Sequence, residues 1–205
     1  MTIQNTKFYF FQTPDIVVDK VYKHLNYSNK NSIVDLGAGQ GALIKPLIDN
    51  KSLRKIAIEI NEDVKLKLQS RYDEVLIGNL ITSKVLDFVD NFPNKVIYVS
   101  NPPFGSVNYS SAIKQLLFSQ GLCSNYRSVK TYKLELIFIA RALEMASIGD
   151  EAVFIIPRSI LESADFRFVR DTLCKKHNLH TCLLLPEKTF KNTEVRTAII
   201  WFKPH

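Results

Sequence analysis

Ser32-Ile33-Val34-Asp35-Leu36-Gly37-Ala38-Gly39-Gln40-Gly41 decides how the rest of the chain is read. An apolar run of strand length passes into a glycine-rich turn, after which Ala42–Ile48 carries a helical pattern. Such a turn lets the backbone approach a ligand, and the helix behind it offers free N–H groups. The acid inside the motif narrows the ligand. A carboxylate at Asp35 repels a pyrophosphate and attracts an ammonium or a sulfonium, and the spacing G-x-G-x-G lacks the third glycine of the dinucleotide fingerprint.

Downstream, Lys55–Ile60 reads as a second apolar strand. Glu59, 22 residues after Gly37, stands where such folds grip ribose hydroxyls, or else it is a solvated strand end. Helical spacing covers Asp63–Tyr72, and a short strand, Glu74–Ile77, runs into Gly78-Asn79-Leu80. Asn79 suits either a turn or an amide reading the edge of an adenine. A helix over Ser83–Phe92 precedes the strand Lys95–Ser100. Strands alternating with helices predict a doubly wound parallel sheet, whose ligands sit at the C-terminal strand ends. Asp35, Glu59, Asn79 and Asn101 all fall at that edge.

The strand Lys95–Ser100 delivers Asn101-Pro102-Pro103-Phe104. An amino group on a heteroaromatic ring is a poor nucleophile because its lone pair is delocalised. The Asn101 side-chain oxygen and the Pro102 carbonyl, both aimed at its N–H bonds, draw the nitrogen towards tetrahedral geometry. Neither Pro102 nor Pro103 donates a hydrogen bond, so the turn is stiff. Phe104 offers a stacking face for a base, a contact worth about 1–3 kcal/mol. The alternative is a plain proline turn closing a strand.

Ahead of the first strand, Thr13 is placed as N-cap and Pro14 as first residue of a helix over Asp15–Leu25, which accounts for both structurally. Gly105–Lys133 is the least regular stretch, with a short helix over Ser111–Gln120. Its basic residues interleaved with tyrosines, Tyr126, Arg127 and Lys130 among them, suit a nucleic-acid backbone or a solvated loop. Helices over Leu134–Ser147 and Ser163–Lys176 alternate with strands over Glu151–Pro157, Leu179–Leu185 and Arg196–Phe202. Between the last two strands, Phe190 and Lys191 stand in a basic turn. Phe190 looks exposed there, ready to close on a base stacked on Phe104, or is ordinary core.

Composition bounds these readings. At 205 residues, 46% hydrophobic and 23% charged, the chain is expected to be one soluble catalytic domain, with residues 1–30 closing over the cofactor and no separate target-recognition domain. No apolar run reaches membrane-span length and no leader is evident, so a cytoplasmic location is expected. Cys123, Cys174 and Cys182 lack metal spacing and fit reduced structural thiols; His177 and His180 read as surface, and no metal is expected. A formal charge of +7 and a pI near 9.2 favour a polyanionic partner.

Taken together, these residues resemble the adenine-specific, amino-directed DNA methyltransferases that use S-adenosylmethionine. Phe11-Gln12-Thr13-Pro14 resembles their N-terminal cofactor motif, Asp35–Gly41 their glycine motif, Glu59 their ribose ligand and Asn101–Phe104 their catalytic turn. The tail from Leu179 to Phe202 is similar to the modification subunits of type I restriction systems. The resemblance implies a Rossmann-like class I methyltransferase fold with a mostly parallel seven-stranded sheet. It also implies extrusion of the target adenine, direct transfer to its amino group, and a specificity subunit or target-recognition partner supplied separately. Asn79 departs from the pattern, which has Asp there. The same turn also occurs in enzymes that methylate amino groups of ribosomal RNA bases or a release-factor glutamine. A catalytically silent subunit that binds nucleic acid or a partner is a further alternative.

Overall fold

A computed structural model describes residues 11–81, 95–123, 130–191 and 193–204. The helix expected over Ser83–Phe92, and Tyr126 and Arg127, lie outside them. The apolar runs become the strands β1 (Ser32–Leu36), β2 (Arg54–Glu59), β3 (Glu74–Ile77), β4 (Val96–Ser100), β7 (Glu151–Pro157), β8 (Leu179–Leu184) and β9 (Thr197–Phe202). They form one seven-stranded sheet in the order β3-β2-β1-β4-β7-β9-β8. Every pairing is parallel except those of β9, which lies antiparallel between β7 and β8. A Rossmann-like, mostly parallel sheet is therefore present as expected. Strands β1, β4, β7 and β9 are buried at every position, as strands covered on both faces must be.

Helices α1 (Asp15–Lys23), α2 (Lys65–Gln69), α3 (Ser111–Ser119), α4 (Leu134–Met145), α5 (Ser159–Glu162) and α6 (Arg167–Lys176) accompany the sheet. One apolar cluster packs Tyr98, Phe154 and Phe202 against α3 and α4; the other packs Ile97, Ile199 and Trp201 against Val17, Val18 and Val21 of α1. Helix α4 is buried nearly all round, which marks a core helix. The stretch Gly105–Lys133 contains a further antiparallel pair, β5 (Ser106–Asn108) with β6 (Thr131–Lys133).

Several local expectations are corrected. Ala42–Ile48 forms only a 3-10 turn at Lys45–Leu47, because Pro46 has no N–H and crowds the preceding turn. Asp63–Tyr72 splits into a 3-10 turn at Glu62–Val64 and the short α2. Ser163–Lys176 likewise yields a 3-10 turn before α6. Thr13 is no cap: Pro14, extended at φ −66° and ψ 149°, precedes the first helical residue Asp15 and makes no side-chain bond to the helix. His177 is buried at the end of α6, while Cys174 and Cys182 are exposed. Among the described residues no helix is long and apolar enough to cross a membrane, and no group of three or more His, Cys, Asp or Glu could hold a metal ion.

Candidate active site

The chain runs outward from β1 to β2 and β3 and then returns to β4 on the other side of β1, so a crevice opens where the strand order reverses. Ser100 closes its floor, its hydroxyl donating to the Leu36 carbonyl at 2.6 Å. A cavity of about 300 Å³ lies along this edge, lined by Gly37, Glu59, Asn79, Asn101, Leu134 and Phe138, among others. The four polar residues predicted at the strand ends are thus brought together: Glu59, Asn79 and Asn101 here, and Asp35 in an adjoining pocket that Asn101 shares.

The glycine turn folds back onto β2. The Gly37 and Ala38 N–H groups donate to the Ile58 carbonyl at 2.8 and 3.2 Å, and the Gly39 N–H donates to Glu59 Oε2 at 2.7 Å. These donors are therefore engaged within the chain, and the helix N-terminus expected after the turn is replaced by the 3-10 turn at Lys45–Leu47. Glu59 Oε1 accepts from the Ile60 and Asn61 N–H groups, both at 2.9 Å, which leaves capacity on Oε2. Asn79 Oδ1 accepts from the Ile81 N–H at 2.9 Å, a turn contact, while the residue also lines the cavity. Gly37 has φ +71°, and a Cβ there would stand 2.9 Å from Phe138 Cε1. Gly37→Ala is expected to lower stability by at least about 1–2 kcal/mol from the left-handed backbone alone, read as a fall in melting temperature. It also pushes Phe138 from the cavity wall.

Asp35 is buried, and its Oδ2 accepts from the Tyr72 hydroxyl at 2.6 Å while Oδ1 has no partner. Burial pushes its pKa up to about 7; the Tyr72 hydrogen bond opposes the rise and the Glu59 charge adds to it. The adjoining pocket includes Phe11, Thr13, Asp35, Gly37 and Asn101. Asp35 thus brings a buried carboxyl to the wall of this pocket.

Asn101 Nδ2 donates to the Phe11 carbonyl at 2.9 Å and to Thr13 Oγ1 at 3.0 Å. A carbonyl can only accept, so the amide orientation follows: nitrogen towards Phe11, oxygen the other way. Asn101 Oδ1 is buried without a partner. Asn101 is thus aimed by the segment before α1, and Thr13 serves that purpose in place of capping. Thr13→Val is expected to slow any reaction that uses Asn101 several-fold, by removing one neutral hydrogen bond of about 1 kcal/mol, with little change in melting temperature.

Phe104 and Phe190 are both buried, which corrects the reading of Phe190 as exposed. Their rings meet edge to face at 6.3 Å between centroids, and Phe11 lies against Phe104 at 5.6 Å. Packing the three rings together removes apolar surface from water at the sheet edge. Lys130 and Lys191 are exposed. Sequence reasoning missed Arg141, nearly buried on α4, whose guanidinium donates to the Leu80 and Ile81 carbonyls at 2.7 and 3.2 Å. It fastens the Asn79 loop to α4. Its signal was the one cation in a mostly apolar helix.

Residues 68–205 match the family described as N-6 DNA Methylase. The chain is 32% identical over 195 residues to the type II methyltransferase M.BsuBI of Bacillus subtilis, an alignment covering 82% of this chain and 37% of that protein. It is 27% identical over 114 residues to the type I restriction enzyme EcoKI methylase subunit of Escherichia coli, covering 55% of this chain and 20% of the subunit. The chain thus spans well under half the length of these relatives. A class I S-adenosylmethionine-dependent methyltransferase structure from Listeria monocytogenes shares the fold, with a TM-score of 0.70 at 19% identity over 94% of this chain and 61% of that one.

Proposed function

Because the chain belongs to the N-6 DNA methylase family, we propose that it transfers a methyl group from S-adenosylmethionine to the exocyclic 6-amino group of adenine in DNA. The observation that carries this reading is Asn101 Oδ1, a buried acceptor without a partner, fixed in direction by two hydrogen bonds through its own amide nitrogen. An unsatisfied buried acceptor costs about 1–3 kcal/mol, a cost that a functional site recovers when its substrate donates.

The residues fit the cofactor. Asp35 Oδ1 offers a charge to its ammonium, Glu59 Oε2 retains capacity for a ribose hydroxyl, and Phe138, Leu80 and Ile81 give the cavity apolar walls beside Asn79. When bound, S-adenosylmethionine supplies an electrophilic methyl group. Asn101 Oδ1 and the Pro102 carbonyl then accept the two N–H bonds of the target amino group and localise its lone pair. The nitrogen would take the methyl group as the sulfur–methyl bond breaks with its electron pair left on sulfur, and would release one proton to water. Positioning and fixed dipoles do the remaining work. A base stacking on Phe104 displaces one of the two rings now packed against it, Phe11 or Phe190. Lys130 and Lys191, with the net charge of +7, serve the phosphate backbone. Sequence recognition we assign to a further segment or a partner subunit, since the relatives are much longer than the aligned part.

The test is transfer of labelled methyl from S-adenosylmethionine to duplex DNA, single-stranded DNA, ribosomal RNA and a glutamine peptide, with product nucleosides identified. N6-methyldeoxyadenosine is expected. Label confined to RNA or peptide overturns the DNA substrate, and cofactor binding without label in any acceptor means that the chain needs a partner or is silent.

A further inference from the structure

On the far side of the catalytic turn from the glycine loop lies a cavity of about 380 Å³, lined by Phe11, Phe104, Lys133, Glu135, Ser159 and Thr193, among others. Glu135, in the first turn of α4, is 1% exposed, and its Oε2 is buried without a partner. Burial raises its pKa to about 7. The N–H groups of Glu135 and Gly105 and the charge of Lys133 oppose that rise, and the other lining residues named bring no ionisable group. Gly105 is also joined to α4 by the Leu134 N–H, which donates to its carbonyl at 3.1 Å. The carboxyl is therefore tethered to the residue that follows Phe104. Near neutral pH a large share of it is neutral, with an O–H to donate.

The geometry points to Glu135 as the residue that reads the ring edge of the acceptor base, its carboxyl O–H donating to the ring nitrogen next to the amino group; this rests on the methyl transfer proposed above. The main-chain and side-chain acceptors of Asn101 and Pro102 recognise an amino group but say nothing about the neighbouring ring atom. Adenine presents an acceptor there, whereas in guanine the ring nitrogen between the amino and carbonyl carbons carries an N–H. A neutral carboxyl donates to the first and meets the second donor to donor. Phe11 lines both this cavity and the pocket that Asn101 shares, so a base that took its place on Phe104 would stand between Asn101 and Glu135. A purely structural Glu135 would do no more than hold Gly105 and the start of α4.

At saturating cofactor, kcat/KM of the wild-type protein for unmethylated DNA is expected to fall about tenfold per pH unit above roughly 7, as the donor is lost. Glu135→Gln, whose amide donates at every pH, is expected to lower kcat/KM about threefold at pH 6 and to abolish the alkaline fall, whereas Glu135→Ala costs about tenfold or more, mainly in KM. An alkaline fall that persists in Glu135→Gln overturns the proposal. Carbon-13 titration of the Glu135 carboxyl reads the contact independently of turnover. A single-stranded oligodeoxyadenylate is expected to raise its midpoint, and an oligothymidylate is not. A midpoint that the adenylate leaves unmoved overturns the proposal, while a raised midpoint in protein that methylates nothing overturns the reaction and keeps the contact.

Discussion

Asn101→Ala is expected to abolish detectable methyl transfer, a loss of at least about 100- to 1,000-fold by analogy with removal of a single preorganised polar group at a reacting centre. The variant removes the acceptor Oδ1 and also the two bonds from Nδ2 to Phe11 and Thr13, so the segment ahead of α1 loosens. Cofactor affinity should remain nearly intact, because Asp35, Glu59 and the glycine turn are held by other contacts. The measurement is methyl transfer beside cofactor-induced thermal stabilisation. Ligand at a hundred times its dissociation constant adds about 2.7 kcal/mol, which is easily read in a melting curve. Loss of both signals would make Asn101 a structural residue and refute its catalytic role. Phe104→Ala should slow transfer more than Phe104→Tyr, which keeps the stacking face.

The second large effect is on cofactor binding. Asp35 has its pKa raised to about 7, and the ligand's ammonium binds the ionised form. Affinity should therefore rise about tenfold per pH unit below roughly 7 and level off above it. The ligand's own α-amino group, with an ordinary pKa of about 7.7–8.0, closes the window on the alkaline side. Asp35→Asn should weaken binding about 100-fold at pH 7.5 and flatten the acid limb, consistent with the loss of a buried charge pair worth about 3–5 kcal/mol at most. Tyr72→Phe removes the hydrogen bond that favours the carboxylate and should move the acid limb to higher pH. Calorimetric titration across pH 5.5–8.5 checks all three. A raised folded pKa also means that the ligand-free protein gains stability at low pH and loses it as pH climbs from the unfolded carboxylate value near 4 to about 7.

The strands were legible because their signal is local: Glu74–Ile77 and Glu151–Pro157 are apolar runs with the boundaries that the structure shows. Their C-terminal ends carry the polar residues of the site, so the convergence of Asp35, Glu59, Asn79 and Asn101 followed from topology alone. Helix lengths were less legible where a single residue overrode a pattern, as Pro46 did after the glycine turn. Thr13 misled because its residue type suits a cap, while its hydroxyl is claimed by an amide 88 positions away. Phe190 sits among Lys188, Lys191 and Thr193, and only the tertiary fold shows that its ring turns inward onto Phe104. Glu135 and Arg141 are the two charges in the apolar run Leu134–Leu143, and their burial follows once the helix is known to have no polar face.

The insertion of β9 between β7 and β8 gives the molecule a defined order of assembly. The parallel half of the sheet, with the crevice beside β1 and β4, is built from residues up to Pro157, whereas β8 has no neighbour in the sheet except β9. On the ribosome the crevice can therefore form before the antiparallel part of the sheet. Until Thr197–Phe202 emerges, the edge of β7 stays unpaired. Fully buried Trp201 and Phe202 then arrive together and complete both apolar clusters in one step. A nascent chain stopped short of Thr197 should bind cofactor before it can methylate, and should be the species most prone to aggregate through that open edge.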